Sequence, residues 1–156
     1  MVDSMLSRLE LELAVRLSRL ISKWGLGEAV GKILAVLLLA GCPLSQQEIA
    51  KLTGYSVGLI STSLTFLESL GLVMMVEKIG RKKMYLATGS LIDVFENFIK
   101  EIINRQLSPT INFIKNNIPA TEDRTKDSVK LVLREYENLR NLLRNNLRKL
   151  KKYKRS

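Results

Sequence analysis

Apolar residues recur every three or four positions at the start of the chain, as Met5, Leu9, Leu13, Leu17, Leu20 and Trp24, with Arg8, Glu12, Arg16 and Arg19 elsewhere on the turn. This period predicts an amphipathic helix over residues 4–24, started by Asp3 or Ser4 as a cap and broken by Gly25 and Gly27. A nearly unbroken apolar run from Glu28 to Leu39 follows and reads as a central core helix, ended by Gly41 and Pro43. Ser45 and Glu48 then fit the S-x-x-E pattern of a capped helix, with Ile49 and Leu52 facing inward. Gly54, Tyr55 and Ser56 form a turn, and Ser56 caps a third helix that runs to about Leu70. Beyond Gly71, residues 72–77 and 83–87 read as two strands of a hairpin, joined by a Gly-containing loop over 78–82.

The second half is helical. Leu91, Val94, Phe95, Phe98, Ile102 and Ile103 mark an amphipathic helix within 90–117, interrupted by Pro109, which removes a helix hydrogen bond and clashes with the preceding turn. After a loop at 119–123, a last helix over about 122–152 carries Val129, Val132, Leu133, Tyr136, Leu139, Leu143, Leu147 and Leu150 along one side. So long a stripe has little domain of its own chain to pack against, and a second copy would cover it. The expected fold class is mainly α with a small β component (α+β).

Charge and rare residues narrow the chemistry. The chain of 156 residues holds 25 Lys and Arg against 15 Asp and Glu, a formal charge of +10, which favours a polyanionic partner. Histidine is absent, so Ser-His-Asp triads, Cys/His zinc sites and the commonest general base are excluded. Cys42 is the only cysteine, so no internal disulfide forms, which suits a reducing cytoplasm. The most apolar stretch, residues 33–40, falls far short of the roughly 20 residues needed to span a bilayer, and charged residues interrupt the amino-terminal segment where a targeting signal would lie. No carboxylate pair, metal-ligand set or activated nucleophile stands out, so an enzyme and a bound cofactor are not expected.

What remains is an ordered constellation: helix, capped helix, short turn, helix, hairpin with a basic tip. This is the order of a winged helix-turn-helix, in which the second helix of the pair enters the DNA major groove. On the third helix Ile60, Leu64 and Leu67 share one face, and Gly58, Ser61, Thr62 and Thr65 share another. The second face is small and polar, with hydroxyls able to donate to base acceptors or phosphates; no Lys or Arg lies between Ser56 and Leu70. Lys78, Arg81, Lys82 and Lys83 sit at the hairpin tip, placed to neutralise phosphate or to enter a minor groove. A solvated polar face and a solubilising loop are the plainer alternatives for these two features. The tail from Arg148 to Arg155 holds six basic residues and no acidic one; it is either a further DNA contact or a helix end whose cations suit the helix dipole.

The runs Trp24-Gly25-Leu26-Gly27-Glu28-Ala29-Val30-Gly31-Lys32-Ile33-Leu34, Pro43-Leu44-Ser45, Glu48-Ile49-Ala50, Gly54-Tyr55-Ser56-Val57-Gly58-Leu59-Ile60-Ser61-Thr62-Ser63-Leu64 and Leu67-Glu68-Ser69-Leu70-Gly71-Leu72-Val73 resemble the GbsR-like branch of the MarR-type winged-helix regulators. The resemblance implies a homodimeric, cytoplasmic transcriptional regulator bound to double-stranded DNA. It assigns DNA contact to Ser56, Val57, Gly58, Ser61, Thr62 and Thr65, and to wing residues Arg81 and Lys82, where Gly80-Arg81-Lys82 replaces the family's Gly-x-Arg-Lys pattern without the intervening residue. The expected organisation is an amino-terminal dimerisation helix over 1–24, a winged helix-turn-helix with a two-stranded wing over 25–89, and a carboxyl-terminal helical dimerisation region over 90–156. Leu9, Leu13, Leu17, Val132, Tyr136, Leu139, Leu143 and Leu147 are the expected dimer contacts. An unknown small-molecule effector between the core and the terminal helices stays open, as does a winged helix that binds proteins in a larger assembly with little sequence-specific DNA affinity.

Overall fold

The computed structural model of the chain describes residues 6–154. By its internal packing the chain divides into two compact units, Met1–Phe95 and Glu96–Ser156.

The first unit begins with α1 (Arg8–Ile21), whose cap is Ser7. The Ser7 hydroxyl accepts from the Glu10 amide at 3.3 Å while the Ser7 amide donates to the Glu10 carboxylate. The expected start at Asp3 or Ser4, and the first stripe residue Met5, lie outside the described residues; α1 itself begins four positions later than the periodicity suggested, because Ser7 and Glu10 satisfy the free amides together. A widened turn over Ser22–Leu26 follows, in which Trp24 and Gly25 leave the helical conformation. Then α2 (Glu28–Ala40) runs through the core, with Ile33, Leu34, Ala35, Val36 and Leu37 all buried.

Gly31 packs tightly against the end of α1 and the turn that follows it. A Cβ there would sit 2.8 Å from the Ser22 hydroxyl and 3.1 Å from the Ser18 carbonyl, so only a bare Cα lets the two helices approach this far. Ala14, Ser18 and Ile21 form the buried side of α1.

β1 (Leu44–Ser45) leads directly into α3 (Gln46–Thr53), and α4 (Val57–Ser69) follows the turn at residues 54–56. The two closing strands are β2 (Val73–Ile79) and β3 (Lys82–Ala87). The sheet is antiparallel in the order β1-β3-β2, with Leu44 opposite Tyr85 and Ser45 opposite Met84. The expected two-stranded hairpin is thus a three-stranded sheet. Only two residues of β1 pair with β3, too few to leave an alternating pattern in the sequence. The hairpin is also longer and tighter than expected: its strands reach Ile79 and Lys82, leaving Gly80 and Arg81 as the turn. Gly80 has φ +63°, and no described non-glycine residue has positive φ. That combination fits a two-residue turn with glycine at its first central position, whose twist suits the flanking strands.

The second unit holds most of α5 (Leu91–Glu101), a widened turn over Ile102–Leu107, α6 (Ser108–Asn117), a short turn over Ile118–Ala120 and α7 (Asp123–Leu150). Pro109 lies in the first turn of α6. The wide turn before it accommodates the ring: the Ser108 amide reaches back five residues to the Ile103 carbonyl. Ile99, Ile103, Leu107 and Ile111 are buried in this unit.

The stripe on α7 is divided in two. Val129, Leu133, Tyr136, Leu143, Leu147 and Leu150 are half-buried, and α7 packs on α6 and on the two short turns. Leu131, Val132, Leu139 and Leu142 are exposed. Of the expected dimer contacts on this helix, Tyr136, Leu143 and Leu147 are therefore partly covered by their own chain, and Val132 and Leu139 are open. After α7 the chain turns back, and Lys154 pairs with Glu96, so the basic tail is in part an element of this unit.

Candidate nucleic-acid interface

Local chemistry sets the helix pair in place. The Ser45 hydroxyl accepts from the Glu48 amide at 3.2 Å, and the Ser45 amide donates to Glu48 Oε2 at 2.7 Å, so both partners of the expected capping box are engaged at the start of α3. The Ser56 hydroxyl accepts from the Leu59 amide at 3.3 Å and starts α4. At the far end the Gly71 amide donates to the Glu68 carbonyl and the Leu72 amide to the Leu67 carbonyl, the paired closure of a Schellman cap. Ile60, Leu64 and Leu67 are buried as the pattern implied, and Ser63 is buried with them.

A residue outside the expected site holds the turn between α3 and α4. Lys32 of α2 donates from Nζ to the Thr53 carbonyl at 2.9 Å and lies 5.3 Å from the centre of the Tyr55 ring. The Thr53 hydroxyl donates to the Ile49 carbonyl and accepts from the Tyr55 amide. Burial, and then the nearby Glu28 carboxylate, push the Tyr55 hydroxyl pKa up, so Tyr55 keeps its proton and Lys32 faces a neutral ring. The one signal in the sequence was a lone cation within the apolar run of α2.

Of the residues expected on the reading helix, Ser56, Val57, Gly58, Ser61, Thr62 and Thr65 are all exposed. Their hydrogen bonding differs from the expectation of free donors. The Thr62 hydroxyl donates to the Gly58 carbonyl at 2.9 Å and lies 3.1 Å from that of Leu59, and the Thr65 hydroxyl donates to the Ser61 carbonyl at 3.0 Å. Serine and threonine inside helices often turn back in this way. Ser61 keeps a hydroxyl with no side-chain partner among the described residues.

The four hairpin cations Lys78, Arg81, Lys82 and Lys83 are exposed, and none forms an ion pair among the described residues. The register sets Lys78 directly opposite Lys83, and Ile79 opposite Lys82. Like charges placed across a strand pair are destabilising. A bulge between Met75 and Glu77 lies just before this stretch, where an extra residue bends the strand and sharpens its twist. The hairpin is thus a bent arm tipped with uncompensated positive charge.

Among the dimer residues expected on α1, Leu9 and Leu13 are exposed, at 77% and 47%, and Leu20 joins them at 43%. Leu17 is partly buried and packs on the core. The exposed leucines form a stripe beside the buried face of Ala14, Ser18 and Ile21.

No protein-family model and no curated protein sequence matches the chain. Its fold does match solved structures. One of them, the crystal structure of a transcriptional regulator, aligns with a TM-score of 0.62 at 17% sequence identity, over 92% of this chain and 98% of the other. Among the described residues no helix is long and apolar enough to cross a membrane.

Proposed function

We propose that the chain is a DNA-binding transcriptional regulator of the MarR type, GbsR-like branch, acting as a homodimer and not as an enzyme. In this reading α4 enters the major groove and the β2–β3 arm lies along the backbone or in the minor groove. The observation that carries it is the wing: four exposed cations without acidic partners among the described residues, two of them opposed across the strands, an arrangement of like charges that costs stability, beside a reading helix with a small, exposed face. Such a cost is understandable where a polyanion relieves it. The likeness of the fold to a transcriptional regulator supports the same reading. The exposed stripes of Leu9, Leu13 and Leu20 on α1, and of Leu131, Val132, Leu139 and Leu142 on α7, support self-association.

Affinity titrations at several salt concentrations test the proposal. Each phosphate contact contributes about 0.9 to the slope of log affinity against log salt. Replacing Arg81 and Lys82 by Ala removes two contacts per protomer and four per dimer, and flattens the slope by about 3.6 on every duplex. An unchanged slope would remove the wing from the interface. A second reading, a protein-binding winged helix, is favoured by Met74, Met75, Val76 and Ile79, which are exposed along the edge strand β2. It predicts weak DNA binding without sequence preference.

A further inference from the structure

We propose that α4 selects duplexes by the methyl groups of thymine, with Val57, Thr62 and Thr65 as the methyl-reading residues. The inference rests on the DNA-binding reading above and names what that site recognises.

The case begins with what α4 lacks. From Val57 to Ser69 it holds no Arg, Lys, Asn or Gln, and its single charge is Glu68. The bidentate contacts that mark guanine and adenine are therefore out of its reach.

The threonines then narrow the choice. Each hydroxyl hydrogen of Thr62 and Thr65 is directed at a carbonyl of the preceding turn, as described above. With Oγ1 turned back onto the helix, each side chain offers outward its Cγ2 methyl and a remaining oxygen lone pair. Such a group touches methyls and accepts hydrogen bonds, but it does not donate them. Val57, 43% exposed in the first turn, adds an isopropyl group at the end of the helix that meets base edges in this type of docking. Gly58 has nothing within 4 Å of where its Cβ would be, so neighbouring groups meet no side chain there.

The major-groove edges of the bases decide what fits. Thymine presents its C5-methyl group beside the O4 acceptor, and adenine presents an N6 donor beside N7. Guanine presents two acceptors, which call for donors. A surface of methyls and spent hydroxyls thus selects by thymine: the methyls meet its C5-methyl, while the threonine oxygens accept from adenine N6 or cytosine N4 alike and leave the choice to the methyl contact. Ser61, whose hydroxyl has no partner among the described residues, and Ser56, whose hydroxyl only accepts from the Leu59 amide, are the donors available for O4 or a phosphate.

The test uses the full chain. Bound duplexes are first selected from a random-sequence pool. Thymines in the selected duplex are then replaced one at a time by deoxyuridine, which deletes the methyl and keeps O4 and the base pair. The expected result is a loss of about 3- to 10-fold at one or more thymines of each half-site, the scale of a single buried methyl. Thr62→Val, which keeps both branches of the side chain and removes the hydroxyl, should preserve the deoxyuridine penalty. Thr62→Ser, which removes the methyl, should abolish it at the thymine that Thr62 meets. Val57→Ala should do the same at its own thymine. If every major-groove thymine tolerates deoxyuridine, or if Thr62→Ser keeps the full penalty while Thr62→Val loses binding, the methyl reading is overturned and donor hydroxyls read the bases. If the pool yields no enriched duplex, the base-reading assignment of α4 itself fails and the methyl reading with it.

Discussion

Gly31→Ala isolates the contact that seats α1 on α2. In a helix interior, alanine is favoured over glycine by up to about 1 kcal/mol, through backbone entropy alone. At Gly31 the new Cβ meets the Ser22 hydroxyl at 2.8 Å, the Ser18 carbonyl at 3.1 Å and the Ser22 amide at 3.3 Å. The hydroxyl cannot simply swing aside, because it donates to that same Ser18 carbonyl at 2.6 Å. The other two atoms are backbone, so α1 must move away by a few tenths of an ångström. Overpacking of this kind costs about 1–3 kcal/mol. The net expectation is a destabilisation of about 1–2 kcal/mol, or a lower Tm by roughly 2–8 °C at this size of domain. Gly58→Ala is the control: it lies in α4 with open space around it, and should be neutral or stabilise slightly. Urea denaturation followed by circular dichroism reads both variants, and Gly31→Ala combined with Ser22→Ala should recover part of the loss, since the two sites touch. If Gly31→Ala were as stable as the parent, or gained what Gly58→Ala gains, the argument for a tight crossing would be wrong.

Three further outcomes follow from the same geometry. Lys83→Glu places opposite charges across β2 and β3 in place of Lys78 facing Lys83, so Tm should rise slightly while DNA affinity falls; a fall in both would show that the opposed lysines cost nothing. Lys32→Met removes the bond to the Thr53 carbonyl and the contact with the Tyr55 ring; a fall in DNA affinity by about 3-fold or more with the salt slope unchanged is expected, since Lys32 positions the turn without touching phosphate, and a flatter slope would refute this. Hydrogen bonds from Lys100, and then from Lys154, hold the Glu96 carboxyl below its usual pKa. A depressed folded-state pKa stabilises above the unfolded value and is lost as pH falls through the folded one. Glu96→Gln should therefore lower Tm at pH about 7, and its deficit should shrink as pH falls and the parent carboxylate takes up its proton in turn; a deficit that does not change with pH would trace the loss to packing.

How far each feature was legible in the sequence follows from how local its physics is. The capping pair Ser45 and Glu48 lies three residues apart and satisfies its own amides, so the pattern and the structure agree. The buried set Ile60, Leu64 and Leu67 follows directly from the helical period. Pairing across the chain leaves no such trace: Leu44 and Ser45 become a strand only because Tyr85 and Met84 lie beside them, and Lys32 gains its role only once Thr53 and Tyr55 are folded against α2. On α7 the periodicity was visible but its division was not. Val132 and Leu139 lie open and seven residues apart, while Leu133, Tyr136 and Leu143 face the unit's own helices; hydropathy alone cannot tell a covered apolar residue from an uncovered one.

The hydroxyls of α4 carry this distinction into function. As sequence, Ser61, Thr62 and Thr65 are equivalent polar residues, each able to donate. As structure, Thr62 and Thr65 have committed their hydrogens to the helix and Ser61 has not. A surface with few donors and no cations cannot supply much affinity for a polyanion, so in the proposed complex binding strength falls to the cations at Lys78, Arg81, Lys82 and Lys83. The two elements should then respond independently. Changes in the wing should alter the salt slope equally on all duplexes, whereas exchanges between threonine, serine and valine on α4 should change the ranking of duplexes at constant slope. A Thr62→Ser variant that altered the slope, or an Arg81→Ala variant that re-ranked the selected duplexes, would show that the two roles are shared between helix and wing.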